Sequence, residues 1–128
     1  MNTNQQKPLA LIIEDNDSLA DIFTQAMKIA GFDIQTVADG LKAMEILKSL
    51  TPAVIILDLY LPGVSGDKVL EYVHGESRLK DAKIVLTTFD SFLADKFQDE
   101  CDYALLKPVS FGQLRDLGIK LREALPEG

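Results

Sequence analysis

The sequence has almost none of the residues on which cross-linked or thiol-dependent proteins rely. Its 128 residues include one cysteine, Cys101, one histidine, His74, and no tryptophan. A disulfide within the chain is therefore excluded, and this sparing use of cysteine is typical of the reducing cytoplasm. A catalytic thiol needs a base in contact with it, and His74 is distant from Cys101 along the chain, in a polar helix end. We therefore assign both residues to packing or to the surface.

Long apolar runs and clusters of basic residues are also missing. No apolar stretch reaches the roughly 20 residues that a membrane-spanning helix needs, and the opening MNTNQQKP lacks the apolar segment of a signal peptide. The net charge is −7, and the 13 Lys and Arg residues are scattered. A protein that binds the nucleic-acid backbone needs a basic face. We therefore expect no membrane association and no direct nucleic-acid binding from this chain.

The length and composition favour one globular domain. A chain of 128 residues leaves little room for a second domain, and a hydrophobic share of 47% is enough for a core. The polar start predicts a short disordered leader over residues 1–7, and the end predicts a tail over residues 126–128. We expect the folded domain to span residues 8–125.

Apolar runs alternate with amphipathic segments along the chain. Continuous apolar stretches predict buried strands, whereas apolar residues three or four apart predict helices packed on them. Repeated strand–helix pairs with β-branched strands imply a parallel sheet that is covered on both faces. We expect a flavodoxin-like, doubly wound α/β fold, (βα)5, with a five-stranded parallel sheet in the order 2-1-3-4-5. The predicted strands span residues 9–13, 32–37, 53–57, 83–87 and 103–106, and the predicted helices begin near Asp17 (the expected N-cap), Asp39, Ser65 or Gly66, Ser91 (running to residue 100) and Ser110.

Chemically useful side chains follow four of the five predicted strands. Glu14 and Asp15 follow the first, Asp58 follows the third, and Thr87 and Lys107 come at the ends of the fourth and fifth. In open α/β sheets ligands bind at this carboxyl edge. The expected strand order makes the first and third strands neighbours, so the three carboxylates crowd together and need a cation. Oxygen ligands without His or Cys favour Mg²⁺.

The same residues fit a phosphoryl group. Magnesium held by few carboxylates usually shares a phosphate, Lys107 supplies a compact positive charge, and Thr87 supplies a hydroxyl donor. No Gly-rich phosphate loop follows any predicted strand, which argues against a nucleotide. We therefore expect the phosphate to become attached to the protein, with Asp58 as the nucleophile of an aspartyl phosphate.

Four stretches, LIIEDNDSLA, VIILDLYLPGVSG, KIVLTT and LLKPVS, resemble the response-regulator receiver domains of two-component signalling, in that family's order and over residues 8–125. The resemblance implies that Asp58 is the phosphoacceptor, which takes a phosphoryl group from a histidine kinase or a phosphotransfer protein. It implies Mg²⁺ as the cofactor, bound directly by Asp15, through water by Glu14, and by Asp58 and the backbone carbonyl of Tyr60.

The resemblance also assigns the remaining roles. Asp58, Thr87 and Lys107 form the catalytic set, and Lys107 precedes a cis bond to Pro108. The protein is then a signalling switch in the cytoplasm, and it catalyses only its own phosphotransfer and autodephosphorylation. An output protein binds the face formed by the fourth helix, the fifth strand and the fifth helix, and a phosphorylation-dependent homodimer is a further expectation. The positions that modulate or switch the site are Thr87, Thr88, Tyr60, Phe89, Tyr103 and Ala104.

The sequence departs from the family pattern at several of these positions. Glu14 stands where Asp is commoner, and Thr88 where a small residue is usual. The family's switching aromatic lies three residues before the lysine, where this chain has Ala104. Tyr103 is one place earlier and is therefore expected on the other face of the strand. The usual aromatic switch is thus in question.

Two bulky residues flank the predicted site. Tyr60 is two residues after Asp58, and Phe89 is two residues after Thr87. At these positions similar domains tune the hydrolysis of the aspartyl phosphate. We expect the two rings to screen the phosphoryl group from water and to prolong its lifetime.

Three other functions compete with this interpretation. A pseudo-receiver that acts as a constitutive docking module is favoured mildly by Ala104, Thr88 and Glu14. An FMN-binding flavodoxin-like protein needs a Ser/Thr/Gly-rich loop after the first strand, where this chain has EDNDS. A haloacid-dehalogenase-like phosphatase needs a second Asp two residues after the nucleophile, where this chain has Tyr60.

Overall fold

The computed structural model describes residues 7–126. The predicted leader lies outside the described residues apart from Lys7, and the predicted tail does so apart from Pro126. Five strands and five α-helices alternate through this part of the chain, with two short 3-10 helices, Ser77–Leu79 and Gln98–Glu100. The strands are β1 Leu9–Ile13, β2 Asp33–Val37, β3 Val54–Asp58, β4 Lys83–Thr88 and β5 Tyr103–Leu106, and the helices are α1 Asp17–Ala30, α2 Gly40–Leu47, α3 Gly66–Gly75, α4 Ser91–Phe97 and α5 Phe111–Ala124.

The strands form one parallel sheet in the order β2-β1-β3-β4-β5. This confirms the predicted fold class and strand order. All five residues of β3 are buried, because this strand lies in the middle of the sheet and is covered on both faces. Alternate residues of each strand face opposite sides, and so Ile55 and Leu57 belong to the core beneath α2 and α3, whereas Val54 and Ile56 belong to the core beneath α1 and α5.

Two helix boundaries differ from the predictions. Asn16, not Asp17, is the N-cap of α1: its backbone is extended and its side-chain oxygen accepts from the backbone N–H of Leu19 at 2.9 Å. Asp17 is already helical, so it adds its charge to the first turn instead. The fourth helix is α-helical only to Phe97 and ends in the 3-10 turn Gln98–Glu100, because no glycine is present there to close the last turn.

Other elements begin and end within about two residues of the predictions, as boundaries usually do. β2 begins at Asp33, β3 ends at Asp58, and β4 continues to Thr88. The last helix begins where it was expected, and Ser110 is its N-cap, since the Ser110 hydroxyl accepts from the backbone N–H of Gln113 at 3.0 Å. Within residues 7–126, no helix combines the length and the apolar character needed to cross a membrane.

Candidate functional site

The predicted site residues come together at the carboxyl edge of the sheet. Asp58 is the last residue of β3, and Thr87 pairs with it in the register of β4. Glu14 directly follows β1, and Lys107 directly follows β5. All four side chains are buried, with exposures of 4% for Asp58, 1% for Thr87, 3% for Glu14 and 7% for Lys107. The fold therefore withdraws two acids and one base from water at a single point.

The ammonium group of Lys107 joins the two buried acids. Its Nζ lies 2.8 Å from Glu14 Oε1 and 3.0 Å from Asp58 Oδ2. The peptide bond from Lys107 to Pro108 is cis, in agreement with the expectation. The backbone N–H of Lys107 also donates to the carbonyl of Thr88 at 2.7 Å, which extends the β4–β5 pairing and fixes the start of the lysine side chain.

The second oxygen of each acid has a backbone donor. Asp58 Oδ1 accepts from the N–H of Tyr60 at 3.0 Å, and Glu14 Oε2 accepts from the N–H of Asn16 at 3.1 Å. Charge-assisted hydrogen bonds of this kind compensate the desolvation of a buried carboxylate. They also orient both carboxylates from rigid backbone, which a nucleophile or a metal ligand requires.

Burial and pairing shift the protonation equilibria of this cluster. Desolvation raises the pKa of Glu14 above its usual range, although the hydrogen bond from Lys107 works in the opposite direction. Desolvation disfavours the charged form of Lys107, but its hydrogen bonds to Glu14 and Asp58 outweigh that effect and raise its pKa. The lysine therefore stays protonated at neutral pH and remains the cation of the cluster.

The acidic corner fits a hard cation. One carboxylate oxygen each from Glu14, Asp15 and Asp58 can be chosen so that all three lie within 4.8 Å of one another. Asp15 is exposed whereas the other two are buried, so the group opens to solvent on one side. Oxygen-only donors in such a group suit Mg²⁺, which keeps several waters. The metal-ligand role of the Tyr60 carbonyl stays a prediction.

Two neighbouring threonines of β4 differ in their hydrogen bonding. The Thr87 hydroxyl is buried and has no hydrogen-bond partner among the described residues. The Thr88 hydroxyl, which is also buried, accepts from the backbone N–H of Asp90 at 3.1 Å. A buried hydroxyl without a partner is unfavourable, so Thr87 has an unused donor beside Asp58.

The rim of the site carries two exposed aromatic rings. Phe89 is 67% exposed, and its ring centroid lies 5.3 Å from Lys107 Nζ. Tyr60 is 57% exposed, and its hydroxyl lies 3.5 Å from Asp90 Oδ2. Asp90, which also caps α4 through Oδ1, was not among the predicted site residues, although an aspartate directly before a predicted helix start is the usual signal of an N-cap.

Tyr103 and Ala104 lie on opposite faces of β5, as expected. Tyr103 packs against the core beneath α1 and α5. Ala104 packs on the other face of the sheet with Leu93 and Phe97, the inward residues of α4. A small side chain therefore occupies the position beneath α4 at which the family carries its aromatic.

Cys101 and His74 line one cleft of about 340 Å³ at the opposite end of the sheet. The thiol lies 3.4 Å from the carbonyl of Phe97 and donates to it, and the His74 ring lies 2.6 Å from the carbonyl of Glu100. Desolvation and the charge of Asp102 raise the pKa of Cys101 to about 11. The thiol is therefore protonated at neutral pH, which supports its assignment to packing rather than to nucleophilic chemistry.

Comparison with known proteins identifies relatives along nearly the whole chain. The family model described as response regulator receiver domain matches residues 10–117. The DNA-binding dual master transcriptional regulator RpaA of Synechocystis sp. is 33% identical over 110 residues, which are 84% of this chain and 46% of RpaA. The DNA-binding response regulator MtrA of Mycobacterium bovis is 28% identical, over 84% of this chain and 46% of MtrA.

Solved structures show the same fold. The signal receiver domain of a protein assigned as a LuxO repressor from Vibrio parahaemolyticus has a TM-score of 0.79 at 28% identity, and the match covers 91% of this chain and 93% of that one. The chain spans about half the length of the curated relatives it matches. Because those relatives are DNA-binding regulators, the expectation of no direct nucleic-acid binding finds no support in them.

Proposed function

The chain belongs to the response regulator receiver domain family of two-component systems, and on this premise we propose that it is switched by phosphorylation of Asp58. The phosphoryl group comes from a histidine kinase or a phosphotransfer protein, and the modification changes the binding of a partner. The observation that carries the proposal is the position of the Lys107 ammonium, 2.8 Å from Glu14 and 3.0 Å from Asp58. We assign the receiver domain to residues 8–125 and place it in the cytoplasm, in keeping with the family.

The transfer step begins with Asp58. A carboxylate oxygen attacks the phosphorus of a phosphohistidine, and the new O–P bond forms as the N–P bond breaks. The electron pair of that bond stays on the imidazole nitrogen of the donor. Asp58 suits this role because β3 is buried along its whole length and the N–H of Tyr60 fixes one carboxylate oxygen.

Lys107 and Thr87 respond to the new group. Phosphorylation adds negative charge and strong acceptor oxygens, and Lys107 already lies at the carboxylate that receives them. The Thr87 hydroxyl, which lacks a partner among the described residues, gains an acceptor. A hydrogen bond to a charged group is worth about 1.5–3 kcal/mol, which is enough to shift a two-state equilibrium roughly tenfold or more.

Mg²⁺ suits the acidic corner, and its chemistry is to neutralise charge on the transferring phosphoryl oxygens. Glu14 uses its two carboxylate oxygens for Lys107 and for the N–H of Asn16. Asp58 is engaged in the same way, by Lys107 and by the N–H of Tyr60, so these hydrogen bonds do not distinguish the two acids. The resemblance to the family is what assigns Glu14 to a water-mediated contact and Asp15 and Asp58 to direct contacts, with the Tyr60 carbonyl as a further ligand.

Two surfaces suit the partners. An apolar pocket of about 380 Å³ lies between α1 and the loop that follows Lys107, and Ile22, Val109 and Phe111 line it. We assign this pocket to the phosphodonor, which must reach Asp58 from the open edge of the sheet. The face of α4, β5 and α5 exposes Phe92 and Leu106, with exposures of 71% and 48%, and we assign it to the output protein or to a second copy of the chain.

The test of this function is intact-mass analysis after incubation with Mg²⁺ and acetyl phosphate. We expect one added phosphoryl group in the wild type, and none in Asp58→Asn or without Mg²⁺. Asp95→Asn is the matched control, because Asp95 is an exposed carboxylate of α4 outside the site. If the wild type forms no adduct under a quench that preserves aspartyl phosphate, the constitutive docking module replaces this proposal.

The docking module is the second candidate because of Ala104. A receiver that lacks the aromatic beneath α4 lacks the usual route from phosphorylation to that face. A partner that binds wild type and Asp58→Asn with equal affinity, with or without phosphodonor, would establish this second function.

A further inference from the structure

Thr88 joins three parts of the protein. It is the last residue of β4 and is 1% exposed. Its carbonyl accepts from the backbone N–H of Lys107 at 2.7 Å, and its hydroxyl accepts from the backbone N–H of Asp90 at 3.1 Å. Asp90 in turn caps α4, since its Oδ1 accepts from the N–H of Phe92 at 2.9 Å. One buried residue thus ties the catalytic lysine and the start of α4 to the rigid sheet.

Phe89 lies between Thr88 and Asp90 in the sequence. Its ring is 67% exposed, so little packing holds it, and yet its centroid lies 5.3 Å from Lys107 Nζ. With so little side-chain packing, the backbone of the loop must largely determine where the ring lies. The hydrogen bond from Asp90 to Thr88 restrains that backbone one residue after Phe89.

We propose that Thr88 is a positioning residue, whose hydroxyl holds the loop between β4 and α4 so that the Phe89 ring covers the Lys107 ammonium and slows loss of the phosphoryl group. This inference rests on the proposed function, because the reaction it controls is the hydrolysis of the aspartyl phosphate. In that step a water oxygen attacks phosphorus and the bond from phosphorus to the Asp58 oxygen breaks. The carboxylate leaves with the electron pair, the water proton passes to solvent, and inorganic phosphate is released.

The alternative role for Thr88 is steric, since a small residue is usual there in the family. The hydroxyl and the bulk are separable. Thr88→Val keeps the branched shape and loses the acceptor for the Asp90 N–H, whereas Thr88→Ser keeps the acceptor and loses the methyl group. If Thr88 acts through its hydroxyl, the serine variant should behave like the wild type and the valine variant should not. If Thr88 acts through its bulk, the valine variant should behave like the wild type and the serine variant should not.

The first measurement is NMR on the unphosphorylated protein, so it does not depend on phosphotransfer. A ring over an ammonium shifts the resonances of the Lys107 ε-CH₂ protons. We expect Thr88→Val to remove most of this shift, as Phe89→Ala does, and to speed the amide hydrogen exchange of Asp90. Thr88→Ser should retain the shift. An unchanged Lys107 shift in Thr88→Val would overturn the proposal even if the protein takes no phosphoryl group.

The second measurement is the rate of phosphate release from the phosphorylated protein in Mg²⁺. We expect Thr88→Val to shorten the phosphoryl lifetime about three- to fivefold, the range implied by loss of one cation–π contact whose aromatic ring is open to solvent. Thr88→Ser should restore the lifetime, and adding Thr88→Val to Phe89→Ala should change it no further. Additive effects of the two substitutions, or a serine variant as short-lived as the valine variant, would refute positioning through Phe89. Absence of any phosphorylated wild type would refute the proposed function instead.

Discussion

Replacing Thr87 by valine should stabilise the folded domain, although it removes a residue of the proposed site. The Thr87 hydroxyl is buried and no described residue pairs with it. Leaving a buried hydroxyl without a hydrogen bond costs about 1–3 kcal/mol, and valine puts a methyl group of similar shape in its place. We expect Thr87→Val to raise the free energy of unfolding by about 1–2 kcal/mol and to abolish the response to phosphorylation.

The same substitution one residue later, Thr88→Val, should destabilise the folded domain. The Thr88 hydroxyl accepts from the N–H of Asp90 at 3.1 Å, and valine leaves that N–H without its partner. We expect Thr88→Val to lower the free energy of unfolding by about 1–2 kcal/mol. The two variants change the same atoms in the same strand, so each is the control for the other.

Thermal unfolding followed by circular dichroism separates the two outcomes. A specific unfolding entropy of about 2.1 cal/mol/K per residue over 128 residues is about 0.27 kcal/mol/K for the domain. A change of 1 kcal/mol therefore shifts the Tm by about 4 °C. We expect Thr87→Val to melt about 4–8 °C above the wild type and Thr88→Val about 4–8 °C below it. A lower Tm for Thr87→Val would refute the claim that its hydroxyl is unsatisfied.

Three further outcomes follow from the packing and the charges. A Cβ built on Gly118 would lie 2.9 Å from Met27 Sδ, so Gly118→Ala should lower the free energy of unfolding by about 1–2 kcal/mol in urea titrations. Gly112 is the control in the same helix, because a Cβ there would have its nearest neighbour 3.6 Å away. Gly112→Ala should therefore raise the free energy of unfolding by about 0.5 kcal/mol. With a pKa of about 11, Cys101 is about one part in a thousand thiolate at pH 8, and iodoacetamide should alkylate it about a hundredfold more slowly in the native protein than in urea. Lys107→Gln leaves two buried carboxylates without their cation and should lower the free energy of unfolding by about 3 kcal/mol. Thermal melts with and without millimolar Mg²⁺ should show that the ion restores part of this loss. An equal loss of stability with and without Mg²⁺ would contradict the assigned metal site.

The parallel sheet was predictable because it depends on patterns that the chain shows locally. Apolar β-branched runs can be buried on both faces only in a covered parallel sheet, and the strand order expected for that fold class places the acids after β1 and β3 side by side. The cap of α1 was not predictable, because Asn16 and Asp17 are both good cap residues and only the backbone geometry selects one. The 3-10 end of α4 was missed for a similar reason, since no proline or glycine marks the last turn.

The residues of the site were predictable, but their pairing was not. That Lys107 contacts both Glu14 and Asp58 depends on the distances between the ends of β1, β3 and β5 in the folded sheet. Residue types alone allow the lysine to pair with either acid or with neither. The contrast between Thr87 and Thr88 is also invisible in the sequence, because it depends on which face of β4 each side chain occupies.

The two threonines together indicate how a phosphoryl group at the sheet edge can reach α4 without an aromatic at position 104. The Thr87 hydroxyl, which has no hydrogen-bond partner among the described residues, lies beside the proposed phosphoacceptor, so we expect a phosphoryl group there to attract the end of β4. Thr88 is the next residue of the same strand and holds the N–H of Asp90, the cap of α4. We therefore expect a shift of the strand end to move the first turn of the helix, through the hydrogen bond from Asp90 to Thr88 and the cap bonds that Asp90 accepts. Ala104 has no side chain large enough to follow such a movement by rotation, so we expect the loop between β4 and α4 to carry the movement from the site to the output face.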